Sequence, residues 1–386
     1  MVDLPKEVRV SGFAAKAGVR LGLYRYERDG AIPVLLLHGA SAGRGTFLRG
    51  EDRSLAAFLY RNGYEPWLLD WRGSKNVVDD HLRSGTDLDK VLLRNQFDFD
   101  GAAEYDIPAA INEIQKKYTD GPIGAVGFCM GAGTLAQSIA MGCLESQPLT
   151  HIVLMTLGLY YKTPAEGRLK AEDFLLERLW SDSDDSTLCI DPRQDPTGIP
   201  APVWGETDLG KMYERWPIKP HDESAKPPPS PRARHTCNRV SFMYGEPYQE
   251  AALDAEIHES ETELQDQFGA IPTRMFLHAS QNVRRGWAAR YGLSDQNTDL
   301  LGEQARERFM RFKRITLITG GLNRLWHRDS VDRMHEWLLR GTVADRNQIQ
   351  EHTIQKHIFP NNGHQDLLWG TNSVEEIFPK IKDALP

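Results

Sequence analysis

One cysteine lies in a glycine-rich turn of the kind that presents catalytic nucleophiles. The short apolar run "IGAV" leads into "GFCMG", in which Cys129 is flanked by Gly127 and Gly131, and a segment with helical spacing follows. Glycines on both sides leave room for the sharp strand-to-helix turn that exposes a nucleophile. The start of a helix also favours a thiolate. The pattern predicts that Cys129 is a nucleophile, and the alternative is a buried structural cysteine in a tight turn.

A histidine near the end of the sequence is the candidate partner of this thiol. His364 lies in "NNGHQD", directly after the apolar run "KHIF". The chain has 12 histidines, so position and not residue type selects this one. A neighbouring imidazole can take the thiol proton and lower the thiol pKa by several units. We therefore expect Cys129 and His364 to act as a pair.

Two side chains compete to orient that imidazole. Asn323 follows the apolar run "RITLIT", where a catalytic acid would normally stand, and its amide oxygen can orient a histidine. An amide suffices for a thiol, because a thiol is far more acidic than a serine hydroxyl. Asp329 is the competing acid, although it is equally well placed as the first acidic residue of the helix "DSVDRMHEW". The favoured arrangement is Cys-His-Asn with Asn323.

Two backbone N–H groups are candidates for holding an oxyanion. Ala40 lies in "HGAS" directly after the run "IPVLLL", and Met130 directly follows Cys129. Backbone donors need no particular side chain, so the sequence constrains them only by position. The alternative for "HGAS" is an ordinary strand-to-loop turn. With both donors, Cys129 could form a thioester acyl-enzyme that water then hydrolyses.

These residues follow strands in a pattern of alternating strands and helices. The predicted strands are "IPVLLLHG", "EPWLLDWRG", "PIGAVGF", "HIVLMTLG", "KRITLITGG" and "KHIFPNNGH", after an opening pair "VRVSGFAA" and "VRLGLYRYERDG". Such alternation indicates βαβ units and a mostly parallel sheet, in which ligands gather at the carboxyl ends of the strands. The candidates occur in the chain order nucleophile, acid, histidine, which is the order of the α/β-hydrolases. The predicted fold is an α/β-hydrolase fold with a mostly parallel central sheet.

The alternation is interrupted once, and the interruption predicts an insertion. We predict a core formed by residues 1–158 and 315–386, with a cap formed by residues 159–314 over the carboxyl edge of the sheet. The inserted region contains the acidic "SDSDDS", the proline-rich "KPPPSPR" and the strand-like "RVSFMYG". Five of its aromatic side chains could line an apolar substrate pocket or belong to an ordinary core: Trp204, Trp216, Tyr244, Tyr248 and Trp287.

Composition excludes several other classes of protein. With 46 basic and 54 acidic residues, the net charge of −8 argues against a general nucleic-acid binder. The first residues show no basic region followed by an apolar one, and there is no apolar stretch of about 18 residues, so we expect neither export nor a membrane span and predict a cytoplasmic location. The cysteines lie far apart without a C-x-x-C pair, which predicts neither a metal site nor a disulfide framework: Cys129, Cys143, Cys189 and Cys237. No cofactor is predicted.

The chain also resembles a known family along most of its length. The segments "VLLLHGASAGRGTF", "GFCMGAG", "NRVSFMYGEPY", "TGGLNRLWHRDS" and "NNGHQDLLWG" look like the α/β-hydrolase module found with GMC-type, cholesterol-oxidase-like flavin oxidoreductases. A Cys elbow and a Gly-His-x-Asp ending also occur in that module. This chain has no G-x-G-x-x-G after an early strand. The resemblance therefore implies that any oxidase activity would need a flavin oxidoreductase as a partner.

A weaker similarity concerns polyhydroxyalkanoate synthases, which extend polyesters from a Cys thioester. It rests on "GFCMGAGTL" and "SLAAFLYRNGYEPWLLDWRG", and it is weakened because those enzymes would have an Asp where Asn323 stands. The sequence thus predicts a hydrolase that cleaves an ester, lactone or thioester of a small, apolar acyl substrate. The alternatives are an acyltransferase of the polyester-synthase type and a catalytically silent ligand-binding protein with the same fold.

Overall fold

The computed structural model describes most of the chain, with gaps mainly between residues 172 and 299. The described residues are 4–11, 13, 18–119, 121–172, 188–193, 240–246, 248–249, 252–253, 267–292, 299–340 and 354–386. Two of the aromatic residues named above, Trp204 and Trp216, lie outside them, as does Cys237.

The centre of the fold is an eight-stranded sheet. The strands in chain order are β1 (Val8–Arg9), β2 (Gly22–Arg25), β3 (Ile32–Leu37), β4 (Tyr64–Asp70), β5 (Ile123–Phe128), β6 (Leu149–Met155), β7 (Cys189–Ile190), β8 (Ile271–Pro272), β9 (Arg314–Gly320) and β10 (Ile354–Phe359). The order in the sheet is β1-β2-β4-β3-β5-β6-β9-β10, while β7 and β8 form a separate antiparallel pair. Only β2 runs antiparallel to its neighbours, so the prediction of a mostly parallel sheet is confirmed.

Helices flank this sheet. They are α1 (Leu55–Arg61), α2 (Lys75–Ser84), α3 (Asp87–Asn95), α4 (Phe99–Gly101), α5 (Ile107–Lys117), α6 (Met130–Ala140), α7 (Ala165–Glu172), α8 (Thr273–Arg285), α9 (Glu303–Met310), α10 (Asp329–Leu338), α11 (Asp366–Trp369) and α12 (Phe378–Asp383). Shorter 3-10 or π turns lie at Arg44–Phe47, Glu51–Arg53, Ala102–Asp106, Asp299–Leu301 and Ser373–Ile377. None of the helices in the described part of the chain has the length and apolar character needed to cross a bilayer.

The elements β3, β5 and α6 pack together within the hydrophobic core. Every residue of β5 and every residue of α6 is buried. Strands buried on both faces read as continuous apolar runs, which is why "IPVLLL" and "IGAV" were recognisable as strands. Small residues dominate α6, so the helix can approach the sheet closely. The turn between β5 and α6 is thus held rigidly on both sides.

One strand prediction is wrong. The segment "RVSFMYG" looks strand-like in the sequence, but residues 240–244 are helical. Four consecutive residues of the run, Val240, Ser241, Phe242 and Met243, are all buried. A short run that is buried on every side carries no period that could distinguish a helix from a strand.

The long connection between β6 and β9 contains the predicted insertion. These two strands are adjacent and parallel in the sheet, from His151 paired with Arg314 to Met155 paired with Ile318. The chain therefore leaves the sheet after Met155 and re-enters it at Arg314, beside the strand it left. The exact division into 1–158, 159–314 and 315–386 stays a prediction.

Candidate active site

Cys129 occupies a strained turn at the carboxyl end of β5. Its backbone angles are φ 56° and ψ −128°, in a region that non-glycine residues rarely adopt. The Cys129 N–H donates to the carbonyl of Met155, at the end of β6, at 3.1 Å. Strain of this kind persists only where the surrounding structure enforces it, and it is concentrated at functional sites.

The flanking glycines are required because backbone atoms approach them closely. A Cβ atom on Gly131 would lie 2.3 Å from the carbonyl oxygen of Leu37 and 2.5 Å from that of His38. A Cβ atom on Gly127 would lie 2.6 Å from the Cα atom of Ala132. The end of β3 and the first turn of α6 therefore pack backbone against backbone around Cys129.

Burial determines the ionisation of the thiol. Cys129 is 9% exposed, and burial raises the pKa of its thiol to about 11. The indole N–H of Trp326 donates to Sγ at 3.4 Å and, with the N–H of Met130, opposes this rise. The expectation of a lowered thiol pKa is therefore wrong for this structure, because desolvation outweighs the donors at the helix start. Cys129, Cys143 and Cys189 are all unpaired thiols.

His364 lies in the loop after β10 and is fully buried. Its ring packs against Phe128, with the ring centroids 4.9 Å apart. Burial lowers the pKa of its imidazole to about 3, so the ring is neutral. Within the described residues, its Nε2 atom has no hydrogen-bond partner, the sulfur of Cys129 included. Both side chains nevertheless face the same cavity.

Asn323 contacts His364, but through the amide nitrogen. The Nδ2 atom lies 3.2 Å from Nδ1 of His364. The Oδ1 atom accepts hydrogen bonds from the N–H groups of Leu325 and Trp326, each at 3.0 Å. Reversing the amide would leave two buried donors unsatisfied, at about 1–3 kcal/mol each. These donors therefore assign the amide, and the expectation that its oxygen orients the imidazole is wrong.

Asp329 lies at the surface beside His327, and not beside His364. It is the first residue of α10, and its side chain is 53% exposed. Its carboxylate lies 3.3 Å from Nδ1 of His327 on the surface. The structure thus brings Asn323, and not Asp329, to His364. A negative charge in the first turn of a helix is favoured by the helix dipole, which accounts for Asp329 without a role in the site.

Ala40 and Met130 line the same cavity as the thiol of Cys129. Ala40 is in the loop after β3, and it lines the cavity together with Gly39, Cys129 and Met130. Neither the Ala40 N–H nor the Met130 N–H donates to a carbonyl oxygen of a described residue. A Cβ atom on Gly39 would lie 3.3 Å from the sulfur of Cys129, so this loop runs directly past the thiol. The Met130 N–H instead faces the sulfur of Cys129, and the Ala40 N–H has no backbone acceptor among the described residues.

A narrow, largely apolar cavity of about 80 Å³ lies in front of these groups. Its walls come from the core and from the segment between β6 and β9. Of the aromatic residues predicted to line a pocket, Tyr244 lies in the wall, whereas Tyr248 and Trp287 are not among the lining residues. The segment between β6 and β9 also contributes Lys170, Phe268, Ile271, Phe276, Ala279 and Val283.

Trp326 and Lys170 are among the cavity residues that sequence reasoning missed. Trp326 was visible only as part of the motif "TGGLNRLWHRDS", and nothing in the motif showed that its indole would reach Cys129. Lys170 is 4% exposed and donates to the carbonyl of Phe242. Burial lowers the pKa of its ammonium group to about 8. A lysine in the polar run "GRLKAED" gives no sequence signal of burial.

A separate cluster has the composition of a metal site. Asp98, Asp100 and His278 place ligand atoms within 4.8 Å of one another. The Nδ1 atom of His278 accepts from the N–H of Phe99, and Nε2 donates to the carbonyl of Ala289. Both imidazole nitrogens are therefore used in hydrogen bonds that join chain segments. The absence of a metal from the chemistry stays a prediction.

Parts of the chain are similar to a curated esterase and a curated lipase. No family model matches the chain. Sterol esterase 2 of Saccharomyces cerevisiae is 34% identical over 82 residues, which cover 21% of this chain and 15% of that protein. Lipase 1 of Drosophila melanogaster is 30% identical over 112 residues, which cover 28% of this chain and 24% of that protein. The chain thus spans about a quarter or less of the length of these curated relatives.

Solved structures match over nearly the whole chain. A lipase in its open form has a TM-score of 0.54 at 13% identity, covering 97% of this chain and 96% of that one. A thermostable carboxyl esterase from Bacillus coagulans has a TM-score of 0.51 at 13% identity, covering 98% of both chains. Together with the strand order and connections, these matches confirm that the chain has an α/β-hydrolase fold.

Proposed function

We propose that this protein is a hydrolase that cleaves an ester, lactone or thioester of an apolar substrate through a Cys129 acyl-enzyme. The observation that carries the proposal is the strained backbone of Cys129, which holds the thiol at the end of β5 and facing an apolar cavity. The names of the similar proteins, which include esterases and lipases, agree with this class of reaction.

The proposed reaction has two steps. In the first, Sγ of Cys129 attacks the carbonyl carbon, the N–H groups of Ala40 and Met130 hold the oxyanion, and the thiol proton leaves with the alcohol. In the second, water attacks the thioester, releases the acid and returns a proton to the sulfur. His364 moves the proton in both steps, which requires a lone pair on its Nε2 atom.

The segment between β6 and β9 is proposed to act as a cap. Its support is that residues from this segment and from the core line the same cavity as Cys129. The apolar walls favour an aliphatic acyl group over a charged one. The flavin oxidoreductase partner and the cytoplasmic location stay predictions.

One observation favours a second candidate, a ligand-binding protein without catalysis. The amide of Asn323 offers a donor to Nδ1 of His364, and burial keeps the Cys129 thiol protonated. Neither the His364 imidazole nor the Cys129 thiol is activated in this state. An acyltransferase would use the same acyl-enzyme and differ only in the acceptor.

Release of p-nitrophenol from p-nitrophenyl butyrate tests the proposal. A hydrolase gives a burst followed by steady turnover in the wild type and neither in Cys129→Ala. A binding protein gives no release, although the ester quenches tryptophan fluorescence. An acyltransferase gives turnover that increases sharply when a hydroxyl acceptor is added. Undiminished turnover in Cys129→Ala would reject the nucleophile.

A further inference from the structure

The orientation of one amide determines which nitrogen of His364 carries the proton. Backbone N–H groups of Leu325 and Trp326 occupy Oδ1 of Asn323, so its Nδ2 group faces Nδ1 of His364. An amide nitrogen can only donate, so Nδ1 must accept. In a neutral imidazole the other nitrogen then carries the proton. His364 therefore presents an N–H, and not a lone pair, at Nε2.

No other group in contact with the ring reverses this assignment. No ion pair joins His364 to an acidic side chain in the described part of the chain, and Nε2 has no partner there. Asp366, two residues along, is engaged by the N–H groups of Gly363 and Gln249. A proton on Nδ1 would point at the Nδ2 hydrogens of Asn323. The surroundings thus oppose both the other tautomer and the imidazolium.

The same turn also contacts the nucleophile. Trp326 donates its backbone N–H to Oδ1 of Asn323 and its indole N–H to Sγ of Cys129. A single residue therefore links the amide that orients His364 to the thiol.

We propose that Asn323 is a positioning residue that fixes His364 in the Nε2–H form, so that Cys129 is not activated by His364 at rest. The proposal rests on the proposed function, because it describes the resting state of that reaction. Turnover then requires the ring to leave this form, so that Nε2 has the lone pair that takes the proton of Cys129. The proposal predicts how Asn323→Asp changes the hydrogen bonds of His364. One carboxylate oxygen would accept the two backbone N–H groups, and the other would accept a proton from Nδ1. The lone pair of Nε2 would then be free to take the proton of Cys129.

The tautomer can be measured directly on the wild-type protein. In long-range ¹H–¹⁵N correlation spectra of ¹⁵N-histidine-labelled protein, the ring signals missing from His364→Gln identify His364. We expect the Nδ1 resonance of an unprotonated nitrogen and the Nε2 resonance of a protonated one at pH 7. The opposite assignment, or an imidazolium, would overturn the proposal.

The reactivity of the thiol provides the second test. Iodoacetamide labelling of Cys129 at pH 7, read by peptide mass spectrometry, should be about tenfold or more faster in Asn323→Asp than in the wild type. The gain should disappear in the Asn323→Asp/His364→Gln double variant. Asn372→Asp is the charge-matched control, because Asn372 contacts Asn362 and Glu376, and it should label at the wild-type rate.

Different results would overturn the positioning role of Asn323 and the proposed hydrolase function. A folded Asn323→Asp protein that labels no faster, or a gain that survives without His364, would overturn the positioning role. Loss of the hydrolase proposal would appear instead as esterase turnover that is absent from the wild type or retained in Cys129→Ala. Neither of those results changes the tautomer spectrum or the labelling rates.

Discussion

At the scale of single residues, the site is defined by opposing effects on one sulfur atom. Burial disfavours the thiolate of Cys129, and the donors from Trp326 and Met130 favour it. Burial wins, and the thiol pKa rises to about 11. Each pKa unit corresponds to about 1.4 kcal/mol, so the loss of even one donor should be measurable as a change in thiol reactivity.

The first prediction concerns the indole of Trp326. Trp326→Phe removes the N–H donated to Sγ and keeps an aromatic ring beside Tyr161, whose ring centroid is 5.3 Å away. The thiolate loses a donor, so the thiol pKa should rise by about half to one unit, and iodoacetamide labelling at fixed pH should slow by about three- to tenfold. The pH–rate profile of labelling measures both. Trp337→Phe, which loses an indole hydrogen bond to Leu301 instead, is the matched control.

An unchanged profile in Trp326→Phe would show that the indole does not act on the sulfur. Equal slowing in Trp326→Phe and Trp337→Phe would show a general loosening of the fold.

The second prediction concerns stability in acid. The pKa of His364 falls from 6.5 in the unfolded chain to about 3 in the folded one, so between these values the unfolded state binds more protons. Stability is therefore present above pH 6.5 and is lost as pH falls towards 3, by at most about 1.4 kcal/mol per pH unit. Urea unfolding at pH 6, 5 and 4 should show a shallower loss in His364→Gln. Parallel stability curves for the two proteins would contradict a buried neutral His364.

The titration of Asp366 opposes that of His364, so the acid stability of the wild type must be compared with that of His364→Gln. Burial raises the pKa of its carboxyl group from 3.8 to about 6, so this group stabilises the fold as pH falls through that range. The two effects have opposite signs in the wild type. Because Asp366 is present in both proteins, the difference between wild type and His364→Gln isolates the imidazole.

The sequence predicted which side chains lie together better than it predicted their chemical states. Position after a strand was enough to select Cys129, Asn323 and His364, because parallel strands end at one edge of the sheet. The direction of the Asn323 amide depends on two N–H groups of the following turn, and no spacing rule encodes that direction. The raised thiol pKa depends on packing around Cys129, which a local motif does not contain.

At the scale of elements, the site depends on how closely β3 approaches α6. The carbonyl oxygens of Leu37 and His38 lie where a side chain on Gly131 would have to be. This contact places the loop containing Ala40 against the first turn of α6. The geometry of the turn at Cys129 and that of the loop containing Ala40 are therefore coupled.

The third prediction tests this contact with Gly131→Ala. The added Cβ must push β3 and α6 apart, which should lower the free energy of unfolding by about 3 kcal/mol and abolish turnover. Gly121→Ala is the matched control, because a Cβ atom there meets nothing within 4 Å, and it should be nearly neutral. Urea unfolding and p-nitrophenyl butyrate hydrolysis measure the two effects. Similar stabilities for the two variants would show that β3 and α6 can separate without cost.

Sequence patterns predicted the sheet more reliably than the connection between β6 and β9. The runs that became β3 and β5 are apolar throughout, and the run that became β4 is apolar between Glu65 and Asp70, so their length and composition indicate strands. Residues 240–244 are equally apolar, yet they form a helix. Their conformation is decided by packing on the rest of the fold, which a short run does not reveal.

At the scale of the whole molecule, the cavity joins two parts of the chain. Cys129 and His364 come from the sheet edge, and α8 provides a wall that includes Phe276, Ala279 and Val283. The volume of about 80 Å³ limits what can enter without rearrangement. We therefore expect the side chains of α8 to set the length of the acyl chain.

The fourth prediction is a shift in chain-length preference. Ala279→Phe fills part of the cavity, so kcat/KM for p-nitrophenyl octanoate should fall about tenfold or more, while that for p-nitrophenyl acetate should change less than about threefold. Steady-state kinetics with the two esters gives the ratio, and urea unfolding checks that the fold is intact. An equal loss for both esters would indicate that α8 does not line the acyl site.

The central claim is that Cys129 carries the acyl group, and intact-mass spectrometry tests it most directly. The protein is incubated with p-nitrophenyl butyrate, quenched in acid during the burst, and digested for peptide mapping. The account predicts one butyryl group per chain, attached to the peptide containing Cys129 and absent from Cys129→Ala. Turnover without any adduct, or an adduct on Cys143, Cys189 or Cys237, would contradict it.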